Sequence, residues 1–213
     1  TQRVKQRIGN AYAVANHYKR DVVFFTNNEK KAIQAAYQQA ETPDQIIKLT
    51  TALVQSFGME SDKAFAQFSK EDSFFAHIGG LVMQTGGAGD NVKLAVEGFL
   101  LMQGEENKKI YSVKNEDRAS VVDEYSSAFL MNRDTQNSTI EAANYIYAAQ
   151  LKNAGKSGFD SFDKFAYEKA FKMAAGATYV AGVMGSTNFD TFYGGFDEHN
   201  DNKVYIPGWL QEG

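Results

Sequence analysis

The chain has 213 residues, with 16 Phe, 11 Tyr, two prolines, no cysteine and a formal net charge of −4 at pH 7. That length supports one sizeable core, and the absence of cysteine excludes a disulfide framework and a thiolate metal site. Lys and Arg are scattered instead of gathered into a basic stripe, which speaks against nucleic acid as a partner, and no apolar run approaches the ~20 residues of a membrane span. Abundant aromatics and scarce proline favour long helices over a turn-rich β-sandwich.

In chain order, Val4, Ile8, Ala11, Tyr12, Ala15 and Tyr18 recur at helical spacing and give an amphipathic first helix. Val22-Val23-Phe24-Phe25 follows as an apolar connector that docks on the core. Thr26 with Glu29 three residues on is a capping box opening a helix to about Ala40, with Ile33, Ala36 and Tyr37 inward. Thr42-Pro43-Asp44-Gln45 is a second box with proline in the first turn, and Ile46, Leu49, Leu53 and Phe57 continue it to Gly58. A short helix near Asp62 to Phe68 leads to Ser69, a cap for what comes next.

Ser73 to Gly104 is the stretch around which the rest is organised. Phe74, Phe75, Ile78, Leu81 and Val82 form one broad apolar helical face. After a turn containing Gly86, Gly87 and Gly89, with Asp90 as N-cap, Val92 to Met102 is apolar almost all the way round, the pattern of the most buried helix. The expectation is a central helical hairpin linked by glycine. Glu105 to Lys114 reads as a charged loop anchored by Ile110, Tyr111 and Val113. Val121 to Leu130 makes another helix, Asn132 to Asn137 a polar turn, and Ser138 or Thr139 opens a helix closed near Gly155. The last long helix starts at Ser161 and ends near Gly176. Beyond Gly182, Thr191 to Phe196 and Lys203 to Ile206 read as a β-hairpin, with Pro207 stopping the second strand and Trp209 among the anchors to the helices. The fold class is therefore mainly α, a multi-helix bundle around the central hairpin with a small C-terminal β-hairpin. It forms one domain over 1–213, with N-terminal helices in 1–58, a helical core in 59–182 and the β-hairpin and tail in 183–213.

Candidate sites are few. Gly86 to Gly89 lacks the lysine and Ser/Thr of a phosphate loop and follows no strand, so it is a structural turn. Gly79 and Gly80 inside an apolar helix imply close approach of a neighbouring helix, since each glycine costs about 1 kcal/mol there relative to alanine. His17, His77 and His199 show no metal spacing, and His77 reads as a hydrogen-bonded core residue. Asp197, Glu198, His199 and Asp201 depart from the EF-hand pattern and read as a solvated hairpin tip. No metal or cofactor is expected. Leu101-Met102-Gln103 matches part of the Gly-Leu-Met-Gln signature of lytic transglycosylases, and Glu71 lies upstream as the one general acid to consider. The preceding glycine is Leu100, Asp72 splits the Glu-Ser pair, and the later Ala-Tyr-Asn-Ala-Gly element is missing.

Four segments carry a resemblance. They are AHIGGLVMQTGG at Ala76 to Gly87, the next helix ending LLMQG, NYIYAAQLKNAG at Asn144 to Gly155, and a closing pattern with Gly194, Gly195 and VYIPGWL at Val204 to Leu210. In that order they resemble the C-terminal helical region of large bacteriophage internal virion or tail-associated proteins, a family that often carries a lytic transglycosylase domain elsewhere in the chain. The resemblance covers roughly Leu53 to Leu210. It implies a non-enzymatic structural module in the capsid interior or tail, carried in some cases to the host envelope, and contacting other virion proteins or other domains of a longer parent chain. It implies no active-site residue here, and leaves Gly79, Gly80, Gly86, Gly87, Gly89, Gly194, Gly195, Pro207 and Trp209 as structural positions. Thr1 as first residue fits a fragment or a processed product. The alternatives are a divergent peptidoglycan lytic transglycosylase using Glu71 or another buried glutamate, and a bacterial secreted binding module.

Overall fold

The computed structural model describes residues 2–68, 73–85, 87, 89–129, 133–158 and 161–180, and the backbone of 191–193, 195–199 and 202–206. It is mainly helical. The N-terminal helices are α1 (Gln2–Tyr18), α2 (Asn27–Gln38), α3 (Pro43–Phe57) and α4 (Ser61–Ala66). There follow α5 (Ser73–Thr85), α6 (Asp90–Leu101), α7 (Glu105–Tyr111), α8 (Asn115–Ser126), α9 (Arg133–Asn153) and α10 (Lys164–Ala174).

Local chemistry sets the helix starts. At α2 the Thr26 hydroxyl accepts from the Glu29 N–H at 3.3 Å and the Glu29 carboxylate accepts from the Thr26 N–H at 2.9 Å, so two orphan donors are satisfied reciprocally. That box and the Arg7 guanidinium, 2.6 Å away, hold the Glu29 carboxyl down at about 2. At α3 Pro43 occupies the first turn and the Gln45 side chain reaches back to the Thr42 N–H at 3.2 Å. Gly58 ends that helix at φ +54.

Five expectations change. Glu105 to Tyr111 is a helix, not a loop: its acids Glu105 and Glu106 sit in the first turn and Lys108 and Lys109 in the last, matching the helix dipole, and Lys108 pairs with Glu105 at 2.6 Å. Residues 133–137 are the first turns of α9, not a polar turn, with the Ser138 and Thr139 hydroxyls donating back to the Thr135 carbonyl at 3.0 and 2.8 Å. Gly89, extended at φ −75 and ψ 141, caps α6, and Asp90 is already helical. Asp163, not Ser161, opens α10, its carboxylate accepting from the Ala166 N–H at 3.1 Å. Ala36 is exposed while Tyr37 is buried.

One hydrophobic cluster runs from Phe24 and Phe25 through Ile46, Phe65, Phe75, Ile78, Leu81, Val92 and Val96 to Ile146, Tyr167 and Phe171. The 22–25 connector docks as expected through Phe24 and Phe25, 3% and 5% exposed. The centre is not the α5–α6 pair alone: α6 makes its most extensive contact with α9, and α9 in turn packs along α10. At that crossing Gly98 of α6 lies against the backbone of α9, where an added Cβ would land on the Tyr145 carbonyl oxygen. Burial is richest in α9, with Ala142, Ala143, Ile146, Tyr147, Ala148 and Ala149 all at 3% or less, whereas Leu94, Phe99 and Leu100 of α6 are only half-buried.

Beyond Ala177 the backbone pairs antiparallel, Thr178–Val180 with Thr191–Tyr193 and Gly195–His199 with Asn202–Ile206. The connecting residues 200 and 201, and Gly194, Pro207 and Trp209, lie outside the described residues, as do Ser69 and Gly86.

Candidate functional site

The half-buried side of α6 looks into a groove. It has a volume of about 980 Å³ and is bounded by α6, α9 and α10, with Glu41 and Pro43 from the α2–α3 junction and Asn107 of α7 at its ends. Leu94, Leu100, Leu101, Ala149 and Met173 are its apolar lining, and Lys93, Lys152, Lys169, Asp90 and Glu97 its charged lining. The helical period explains the arrangement: Asp90, Lys93, Leu94, Glu97, Leu100 and Leu101 are three and four apart and share one face of α6. An all-round apolar helix was the sequence expectation. The helix instead has one apolar face in the core and one mixed face, with Asp90, Lys93 and Glu97 among the leucines, that lines the groove.

Hydrogen bonds hold the groove's edges. The Asn107 amide donates to the Leu101 carbonyl at 2.9 Å, tying α7 to the end of α6. The Gln150 amide reaches the Met173 sulfur at 3.8 Å, tying α9 to α10. Lys93 and Glu97 form a long i,i+4 ion pair at 3.9 Å. Charges of both signs and apolar side chains line the groove together, a mixed surface suited to a polypeptide segment.

A glycan-cleaving acid would need a carboxyl held protonated in apolar surroundings. Glu97 instead faces a lysine. Among the described carboxyl groups Asp62 is pushed above its ordinary value, by desolvation, and it lies on α4, away from the groove. Glu71 lies outside the described residues. Of the partial transglycosylase match, Leu101 is buried in the groove floor, Met102 caps α6 and Gln103 is exposed. No group of three or more His, Asp or Glu that could hold a metal occurs among the described residues.

The glycines and histidines singled out from sequence take structural places, and none of the described ones lines the groove. Gly79 lies under the Phe65 ring, where a Cβ would meet ring carbons at 2.6 and 2.7 Å. Gly80 has nothing within 4 Å of a built Cβ, so the close helix approach expected there is absent. Gly87 takes φ +84, with the Thr51 hydroxyl 2.8 Å from where its Cβ would be. Gly195 pairs with Ile206 at the start of its strand. His77 is neutral: burial pulls its pKa down to about 4, against the opposing pull of its 2.8 Å Nε2 hydrogen bond to the Ala174 carbonyl.

Sequence reasoning missed Gly98 and the groove lysines. Gly98 had a signal, a lone glycine inside an apolar helix. Lys93, Lys152 and Lys169 come from three helices and meet only in the fold. Comparison with family models, with curated proteins and with solved structures finds no match to this chain.

Proposed function

We propose that this chain is a non-enzymatic structural domain of a phage or prophage virion protein, located in the capsid interior or tail and acting through contacts with other virion proteins or other domains of a longer parent chain. The observation that carries the reading is the α6–α9–α10 groove, whose lining mixes apolar side chains with charges of both signs, as protein-binding surfaces do. The ordered resemblance of Ala76 to Gly87, Asn144 to Gly155 and Val204 to Leu210 to the virion family supplies the setting. In this reading residues 1–213 form one domain, supported by the continuous cluster from Phe24 to Ala174, and the C-terminal β-hairpin closes it.

Two measurements test it together. Peptide mass spectrometry of particles induced from the source genome should find this chain at a fixed copy number, retained through a high-salt wash. Absence from the particles removes the proposal. Incubation of the chain with isolated peptidoglycan should release nothing; release of anhydro-muropeptides that Glu71→Gln abolishes establishes the transglycosylase alternative instead.

A further inference from the structure

The first helix rests on the domain by a narrow strip. Of the 17 residues of α1 Ala15 alone is buried, and Val4, Ile8, Ala11 and Tyr12 lie half-buried against the core. Among the helices it contacts α3 most. Its polar ties are at the surface. The Arg7 guanidinium reaches Glu29 in the first turn of α2 at 2.6 Å, with both side chains exposed. The Tyr12 hydroxyl donates to the Glu60 carboxylate at 2.5 Å and accepts from the Lys63 ammonium at 2.6 Å, and its ring meets Phe24 edge-on with centroids 6.1 Å apart. Exposed ion pairs contribute little each, so a helix held this way opens at a small fraction of the free energy of global unfolding.

The segment that follows is held differently. Gln67, which caps the end of α4, clamps it: the amide oxygen accepts from the Phe24 and Phe25 N–H groups at 3.0 and 3.4 Å, and the amide nitrogen donates to the Val22 carbonyl at 3.2 Å. Phe25 is also packed on Phe57 and Phe68, with centroids 5.1 Å from each. None of these contacts involves α1. Between the two regimes lie Lys19, Arg20 and Asp21, all exposed and outside any helix or strand. Lys19 takes φ +49, the one non-glycine residue in the left-handed region among those described, and the Arg20 N–H closes on the Ala15 carbonyl at 3.1 Å. Exposed residues at the end of an element are where a hinge absorbs its change of φ and ψ.

We propose that α1 is a salt-sensitive strap that docks on and swings off the domain as one unit, hinging at Lys19 to Asp21 while the Gln67-clamped connector stays in place. The salt dependence follows from where the charges lie. α1 carries Arg3, Lys5 and Arg7 and none of the 26 Asp and Glu, so the rest of the chain holds 19 bases against those 26 acids, a net −7. A positive helix is drawn to a negative body at low ionic strength and released as salt screens the attraction. Swung off, the strap uncovers one side of the Phe24 ring and its own Val4, Ile8, Ala11 and Tyr12, so its position decides whether that apolar surface meets solvent. The device is independent of the virion reading and of what the α6–α9–α10 groove binds.

Amide hydrogen exchange of the 213-residue chain, read residue by residue by NMR under native conditions, tests this. Amides from Arg7 to Tyr18 share one level of protection, at least about a hundredfold below that of α3 and of Phe24 and Phe25. Raising salt from about 0.05 M to about 1 M speeds exchange in α1 roughly two- to fivefold and leaves the connector unchanged. Tyr12→Phe, which keeps the ring on Phe24 and removes the hydroxyl from Glu60 and Lys63, speeds α1 alone by about tenfold. Gln67→Ala lets the opening spread to Phe24 and Phe25. Protection in α1 equal to that of α3, protection that declines steadily towards Gln2 as in simple fraying, or wild-type connector amides exchanging at the α1 rate would each overturn the proposal. So would exchange indifferent to salt, to Tyr12→Phe or to Gln67→Ala.

Discussion

The two sides of the core differ in how closely their backbones approach. Around α2–α5 the space is filled by rings: Tyr37 and Phe75 have centroids 4.0 Å apart, Phe68 and Phe75 4.9 Å, Phe25 and Phe68 5.1 Å, Phe25 and Phe57 5.1 Å and Phe24 and Phe57 5.4 Å. Around α6, α9 and α10 small residues are interleaved with rings: Gly98, Ala95, Ala142, Ala143, Ala148, Ala149, Ala170 and Ala174 are buried beside Tyr147, Tyr167 and Phe171. Rings keep backbones apart and can re-tilt within the space they fill. Glycine and alanine let backbones touch, and a backbone in contact has nowhere to go.

The sharpest way to break that comparison is one methyl group at the tightest point. Gly98→Ala places a Cβ on the Tyr145 carbonyl, which belongs to the α9 backbone and cannot rotate aside. A cost of about 3 kcal/mol or more is expected despite alanine's better helix propensity, or no folded protein at all. Urea unfolding followed by circular dichroism measures it. A neutral Gly98→Ala would mean that α6 and α9 slide easily and that the small-residue side is no tighter than the aromatic one.

His77 joins the two sides, since it sits on α5 and bonds the last residue of α10. Its folded pKa of about 4 lies below the ordinary 6.5, so between those values the unfolded chain takes up a proton that the folded chain refuses. Stability from this group is complete above pH 6.5 and falls as pH drops towards 4, by at most about 3 kcal/mol. Glu29, held at about 2, acts in a separate window between 4.5 and 2. In a series of unfolding midpoints against pH, His77→Gln should flatten the upper limb and leave the lower one. An unchanged upper limb would show that His77 titrates normally and that the joint is wet.

On the aromatic side, Phe75→Leu should cost only about 1.5 kcal/mol, because Phe65, Phe68 and Tyr37 can shift into part of the vacated volume. A loss as large as that from Gly98→Ala would show the ring cluster to be equally rigid. Thermal unfolding of the two variants side by side gives the answer.

How much of this could be read from the chain follows from how local each signal is. The Thr26–Glu29 box, the Pro43 start and the Phe74-to-Val82 face are statements about neighbours within four residues, and the fold keeps them. The charges of Glu105 to Lys109 are equally local: their density suggests a loop, but their order, acids first and lysines last, is what a helix dipole prefers. The groove was illegible because its lysines come from α6, α9 and α10, and only the α6–α9 and α9–α10 crossings bring them together. Gly79 and Gly80 show the limit most plainly: adjacent identical residues in one helix have different surroundings, and no local rule separates them.

That pair supplies the smallest effect and the finest test. Gly79→Ala presses a methyl group into the Phe65 ring, which is itself packed on Phe75 at 5.2 Å, so the ring must tilt and the net cost is about 1 kcal/mol after the gain in helix propensity. Gly80→Ala meets nothing within 4 Å and should stabilise the protein by up to about 1 kcal/mol through propensity alone. The two variants therefore change unfolding midpoints in opposite directions from neighbouring positions. Were Gly80→Ala the more damaging, α5 would have to be rotated by about 100° from the face assigned here, one residue's turn of a helix, and Phe65 would no longer be the neighbour that its glycine accommodates.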